Sequence, residues 1–202
     1  MASPTAQRMK SGTPAVPVDY SFMGLLSLSE MQQHDPVAGK KRASPDDESS
    51  GGTSTTARSL PVSLRVNNNK IANLDDMHDA LLAIFSDPSK LQWLDLSGNS
   101  VASIPPTAFA DYPELFTLHL HGNALSRYTD IDNLARHLPN LHALTLHGNP
   151  VEEKKHFRSY VVAAFPKLTQ LNFSSVTRGD RDRADTWASM HKKAKSAKDA
   201  DF

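Results

Sequence analysis

LFTLHLHGNA, residues 115–124, and LHALTLHGNP, residues 141–150, repeat one pattern of residue types, with Asn123 and Asn149 standing 26 positions apart. The shared frame is leucine-x-x-leucine-x-leucine-x-x-asparagine-x-apolar. Upstream, Leu91, Leu94, Leu96, Asn99 and Val101 fill it again, and Pro61, Leu64, Val66, Asn69 and Ile71 form a weaker copy. Downstream, Leu168, Leu171 and Phe173 form a degenerate copy with Val176 where asparagine would stand. The asparagine positions step by 30, 24, 26 and then 27 residues. Self-similarity at such a period means stacked supersecondary units, none of which buries its apolar face alone.

The residue types follow from that stacking. Side chains alternate along a strand, so the leucines at the fourth and sixth positions point inward while the third, fifth and seventh positions face out. Asn69, Asn99, Asn123 and Asn149 end their strands, where a buried amide satisfies backbone groups of adjacent turns. The predicted fold is therefore an α/β leucine-rich repeat solenoid of about five repeats over residues 60–176, with a curved parallel sheet on its inner arc. Residues 74–90 place Leu74, Met77, Leu81, Leu82 and Phe85 at helical spacing, with Pro88 ending the helix. Later returns are shorter, irregular or a single helical turn in IPPTAFADYPE and a short helix in TDIDNLARHLPN, residues 129–140, and a further helix carries Phe157, Tyr160, Val161 and Phe165. TRGD, residues 177–180, has a helix-start pattern, with Ala184, Trp187 and Met190 on one face beyond it. This predicts a C-terminal cap helix over 177–191 and a basic polar tail over 192–202. The Arg-Gly-Asp within it is read as part of the cap.

The outward columns are the candidate binding face. They carry Ser63, Trp93, Thr117, Ala143 and Gln170; then Arg65, Asp95, His119, Thr145 and Asn172; then Asn67, Ser97, His121, His147 and Ser174. Trp93 offers large apolar area and one donor, as interface anchors do, unless the chain's own N-terminal segment covers it. His121 and His147 share a column on neighbouring strands, with His119 nearby. Two imidazoles could ligate a metal, but no carboxylate is placed to complete a site, so they are read as polar binding residues with pH-sensitive charge. The chain also has no glycine-rich phosphate loop, nucleophile elbow or His-Glu-x-x-His helix, so a binding protein without metal or cofactor is expected rather than an enzyme.

Residues 1–59 are rich in Ser, Pro, Thr, Gly and Ala, the composition of a disordered arm. An apolar island interrupts it at 17–31, with Tyr20, Phe22, Met23, Leu25, Leu26, Leu28 and Met31. It docks either on the open end of its own repeats or on a partner, so Tyr20 and Phe22 join Trp93, Arg65, Asp95, His119, His121 and His147 as candidate protein contacts. Ser44, between Arg42 and Pro45, is a candidate phosphorylation position. Lys plus Arg equal Asp plus Glu at 22 each, which disfavours nucleic acid and membrane surfaces as direct partners. The chain has no cysteine and no long apolar run, as expected for a cytoplasmic protein.

PVDYSF, SLRVNNNKI, LQWLDLSGN, LHGNPVEEKKHFRSYV and FSSVTRGDRDRADTW, in that order, resemble the leucine-rich repeat-containing protein 51 family. The resemblance covers the island and residues 60–190 and departs in the linker and the last dozen residues. It implies a non-enzymatic structural component of the motile cilium or flagellum, monomeric within a larger assembly on axonemal doublet microtubules. Its implied partners are tubulin and/or other axonemal proteins. A soluble adaptor, such as a phosphatase-regulator-like subunit or an axonemal assembly or transport factor, is the alternative.

Overall fold

A computed structural model describes the backbone of residues 16–41 and 62–199 and the side chains of those residues through Met190. Seven short strands form one sheet in chain order: β1 (Val18–Asp19), β2 (Ser63–Arg65), β3 (Trp93–Asp95), β4 (Thr117–His119), β5 (Ala143–Thr145), β6 (Gln170–Leu171) and β7 (Ser174–Ser175). β1 to β6 are parallel and β7 turns back antiparallel to β6. The register aligns Leu64, Leu94, Leu118, Leu144 and Leu171 in one buried column, as the repeat frame requires. The returns carry α1 (Met77–Ile84), α2 (Tyr128–His137) and α3 (Phe157–Ala164), and α4 (Arg178–Asp199) closes the stack. α4 runs past residue 191 into the segment expected as a polar tail.

The asparagine ladder is closed hydrogen bond by hydrogen bond. Asn123 Oδ1 accepts from the Val101 amide at 3.0 Å, and its Nδ2 donates to the carbonyls of Leu96 and Leu120 at 3.0 Å each. Asn99 and Asn149 make the same set one repeat earlier and one later. Each amide thus ties two turns of backbone that would otherwise be buried without partners.

The island behaves as a repeat at the N-terminal end of the stack. Val18 pairs with Leu64, and Val18, Tyr20, Leu25, Leu28 and Met31 are buried against the first turns. Asn69 extends the ladder into it, accepting from the amides of Met23 and Leu25 and donating to the Tyr20 carbonyl. Ser29 donates through both its amide and its hydroxyl to Asp76 just before α1. The edge of β1 is itself covered, since Asp19 and the 37–38 segment exchange backbone hydrogen bonds.

Three apolar expectations are corrected. Leu82 lies on the outer side of α1 and is 44% exposed, because eight residues of helix turn only one stripe inward. Met190 is exposed rather than packed beside Ala184. Phe173 is not a core residue. Asn172 and Phe173 form a two-residue turn between β6 and β7 with φ of +52° and +61°, which rotates Phe173 out of the leucine column. Arg42, Ser44 and residues 1–15 lie outside the described residues.

Candidate protein-binding face

The strand-face residues gather into one bowl around the middle strands. The Trp93 ring meets His119 edge-on at 5.4 Å between centroids, and His119 meets His121 at 6.1 Å. His121 and His147 stack nearly parallel, 4.6 Å apart at 7°. The sequence missed Phe173, whose ring lies 5.6 to 5.7 Å from all three imidazoles. Asn172-Phe173 stands where a tight hairpin turn ordinarily takes Asn-Gly, and that was the available signal. Among the described residues no group of three or more His, Cys, Asp or Glu is arranged to hold a metal ion.

Two charged residues of this face are already engaged within the chain. Asp95 is buried and accepts from the Ser97 amide and hydroxyl, so the expectation of Asp95 as a free contact is corrected: its own strand end uses it. Arg65 stays half exposed, pairs with Asp19 at 3.3 Å and lies over the Trp93 ring, 5.5 Å from its centroid. The described arm pairs with β2 at the sheet edge, and it is Arg65 that shields the indole. Thr145, also buried, places its hydroxyl 2.8 Å from His121 Nδ1 and 3.3 Å from His119 Nδ1.

Burial lowers the pKa of His119 and, as the largest cause, of His121 too; neighbouring His147 pushes the same way on both, while Asp95 opposes it. Arg65 and His121 add to the lowering at His119. With folded values below the unfolded value of about 6.5, the unfolded chain takes up protons first. Stability is therefore full above about pH 6.5 and falls as pH drops below it. Urea midpoints measured from pH 7.5 to 5.5 should decline, and a His119→Asn/His121→Gln double variant should flatten that slope.

Tyr20 and Phe22 part company. Tyr20 is wholly buried in the island's own packing, which corrects its assignment as a partner contact. Phe22 is 76% exposed with φ of +59°. It occupies a column with Asn68, Gly98, Gly122 and Gly148, all at positive φ between +54° and +69°. The column wants glycine: a Cβ built on Gly148 would stand 3.3 Å from the Gly122 nitrogen. A left-handed conformation costs an ordinary residue roughly 1–2 kcal/mol, so Phe22→Gly should stabilise the chain by up to about 1 kcal/mol after glycine's own entropy cost. Thermal unfolding of the variant checks this.

The comparisons with known proteins agree with this architecture. A leucine-rich repeat family profile matches residues 64–200. Leucine-rich repeat-containing protein 51 of Rattus norvegicus is 35% identical over 190 residues, covering 94% of each chain. The chain belongs to the leucine-rich repeat-containing protein 51 family. The Homo sapiens member is 36% identical over 189 residues, covering 94% of this chain and 93% of its own, so the shared length of the family takes in the arm as well as the repeats. A more distant relative, U2 small nuclear ribonucleoprotein A' of Schizosaccharomyces pombe, is 35% identical over 121 residues, 55% of this chain and 50% of that one. A chain in the crystal structure of the Drosophila melanogaster SNF/U2A' complex superposes with a TM-score of 0.52 at 26% identity, covering 61% of this chain and 66% of its own.

Proposed function

We propose that the chain is a non-enzymatic protein-binding module of the motile cilium or flagellum, held on axonemal doublet microtubules through tubulin and/or other axonemal proteins. Family membership across 94% of the length carries the placement, because the resemblance to this family implies it. The geometry supports the binding half. Trp93, His119, His121, His147 and Phe173 make an aromatic patch on the sheet face, while Phe22 stands exposed at the N-terminal end. An element that touches neighbours at several points gains retention from effective concentration rather than from one strong contact.

The second reading is a soluble adaptor, favoured by the balance of 22 basic and 22 acidic residues, which gives no field toward the acidic tubulin surface. No helix among the described residues is long and apolar enough to cross a membrane, so neither reading involves spanning one. Tagging the protein, stripping ciliated cells with detergent, washing with high salt and imaging the remnant decides between them. Retention along the axoneme supports the first reading; release into the soluble fraction replaces it with the second.

A further inference from the structure

Two exposed phenylalanines stand where backbone geometry asks for glycine, and Phe173 is the one that overlooks the bowl. It is 57% exposed, holds φ of +61°, and gains little burial in return for that conformation. A residue disfavoured locally and still more than half exposed, with one side of its ring against the imidazoles, is a candidate for a contact made elsewhere. The bowl beneath it carries a second signature. One hydroxyl, Thr145 Oγ1, lies within hydrogen-bond reach of Nδ1 of both His121 and His119. It has a single hydrogen, so with neutral rings it donates to one and accepts from the other. The two imidazoles are thereby held in opposite tautomers, one offering an Nε2–H donor and the other an Nε2 acceptor. Neither Nε2 has a hydrogen-bond partner among the described residues.

Charge completes the specification. Asp95 is buried and turned toward Ser97, Arg65 is paired with Asp19, and burial, with the stacked His147 ring, disfavours a charge on His121. Resting on the reading of the sheet face as the binding face, we infer that this bowl grips an uncharged segment of a partner protein. An aliphatic or aromatic side chain of that segment sits against Phe173 and Trp93, and a carboxamide, main-chain or Asn/Gln, bonds the His119–His121 donor–acceptor pair. Phe173 is the anchor, and the strained turn presents it.

The test pans a phage-displayed library of random dodecapeptides on the full chain, then measures the enriched peptides against wild type, Phe173→Gly and Thr145→Val. Enriched peptides should be apolar and uncharged, and their affinity should change little between low and high salt, since no ion pair is formed. Phe173→Gly should weaken them about tenfold or more, as loss of an interface anchor does. Its Tm should nevertheless rise by about 2–4 °C, because Asn-Gly suits the turn, so the loss is not unfolding. Thr145→Val should weaken binding several-fold by freeing the tautomers. Enrichment of charged, salt-sensitive peptides, no enrichment, or unchanged binding by Phe173→Gly overturns the inference. The salt-washed axoneme assay separates the two proposals. Wild type released from axonemes while the peptides still bind removes the placement and leaves the bowl. Retention of wild type with peptides indifferent to Phe173 does the reverse.

Discussion

Tyr20→Ala should lower stability by about 3–5 kcal/mol in urea denaturation at pH 7.5, while Tyr20→Phe should leave it unchanged or slightly raised. The alanine variant empties the largest fully buried side chain of the arm, in a cluster with Val18, Leu25, Leu28 and Met31. That cluster covers Leu64, Val66 and Ile71, the end of a repeat stack that would otherwise face water. The cavity also loosens the backbone that Asn69 ties through the Tyr20 carbonyl and the amides of Met23 and Leu25. The phenol itself contributes nothing favourable: its oxygen is buried without a hydrogen-bond partner among the described residues, and burial, with Asp35, pushes its pKa up. Replacing the hydroxyl by hydrogen removes a desolvated group and keeps the ring. A Tyr20→Ala loss under about 1 kcal/mol would mean that the arm does not cap the stack in solution.

Why the arm was legible only as an apolar island can be read from its residues. Val18, Tyr20 and Leu25 fit the repeat frame, but Met23 stands where asparagine belongs, and 46 residues separate β1 from its partner strand. Only two residues of strand carry the pairing, too few for periodicity to show it. The leucine columns and the asparagine ladder were legible because each position repeats and each answers one requirement, an inward side chain or an unpaired backbone group. Phe173 misled because alternation places it inward, and alternation stops at a turn with two positive φ values. Alternation places Asp95 on the outer face, but it does not report that Ser97, two residues later, folds back onto the carboxylate. The bowl was thus visible as a column of imidazoles, while its closing ring and its shared hydroxyl depended on contacts between repeats.

Asp180→Ala should cost about 2–3 kcal/mol, because it removes a buried carboxylate on which charge-assisted hydrogen bonds and the helix cap converge. Asp180 is 6% exposed and accepts from Arg158 Nε at 3.0 Å and Nη2 at 2.8 Å, from Arg183 at 2.6 Å, and from the Thr177 amide and hydroxyl at 2.9 Å each. In return the Asp180 amide donates to the Thr177 hydroxyl oxygen, the reciprocal cap that the TRGD pattern anticipates. Next to it, Arg181 donates to the carbonyls of Val162, Phe165 and Leu168 at the end of α3, so the first turn of α4 also closes the preceding return. Losing the carboxylate therefore loosens the join between α3 and α4 as well as one ion pair, and hydrogen exchange should rise in both helices. The pH signature separates this site from the bowl. The Arg158 hydrogen bond, followed by the Thr177 amide, holds the Asp180 carboxyl well below the usual carboxylate range. Its contribution is present above the unfolded carboxylate value of about 3.9 and is lost only as pH falls below that. Between pH 7.5 and 5.5 the Asp180→Ala variant should be less stable by a constant amount, with the slope of wild type. The His119→Asn/His121→Gln variant should change the slope in the same interval, so a single pair of titrations assigns one effect to the bowl on the middle strands and the other to the C-terminal cap.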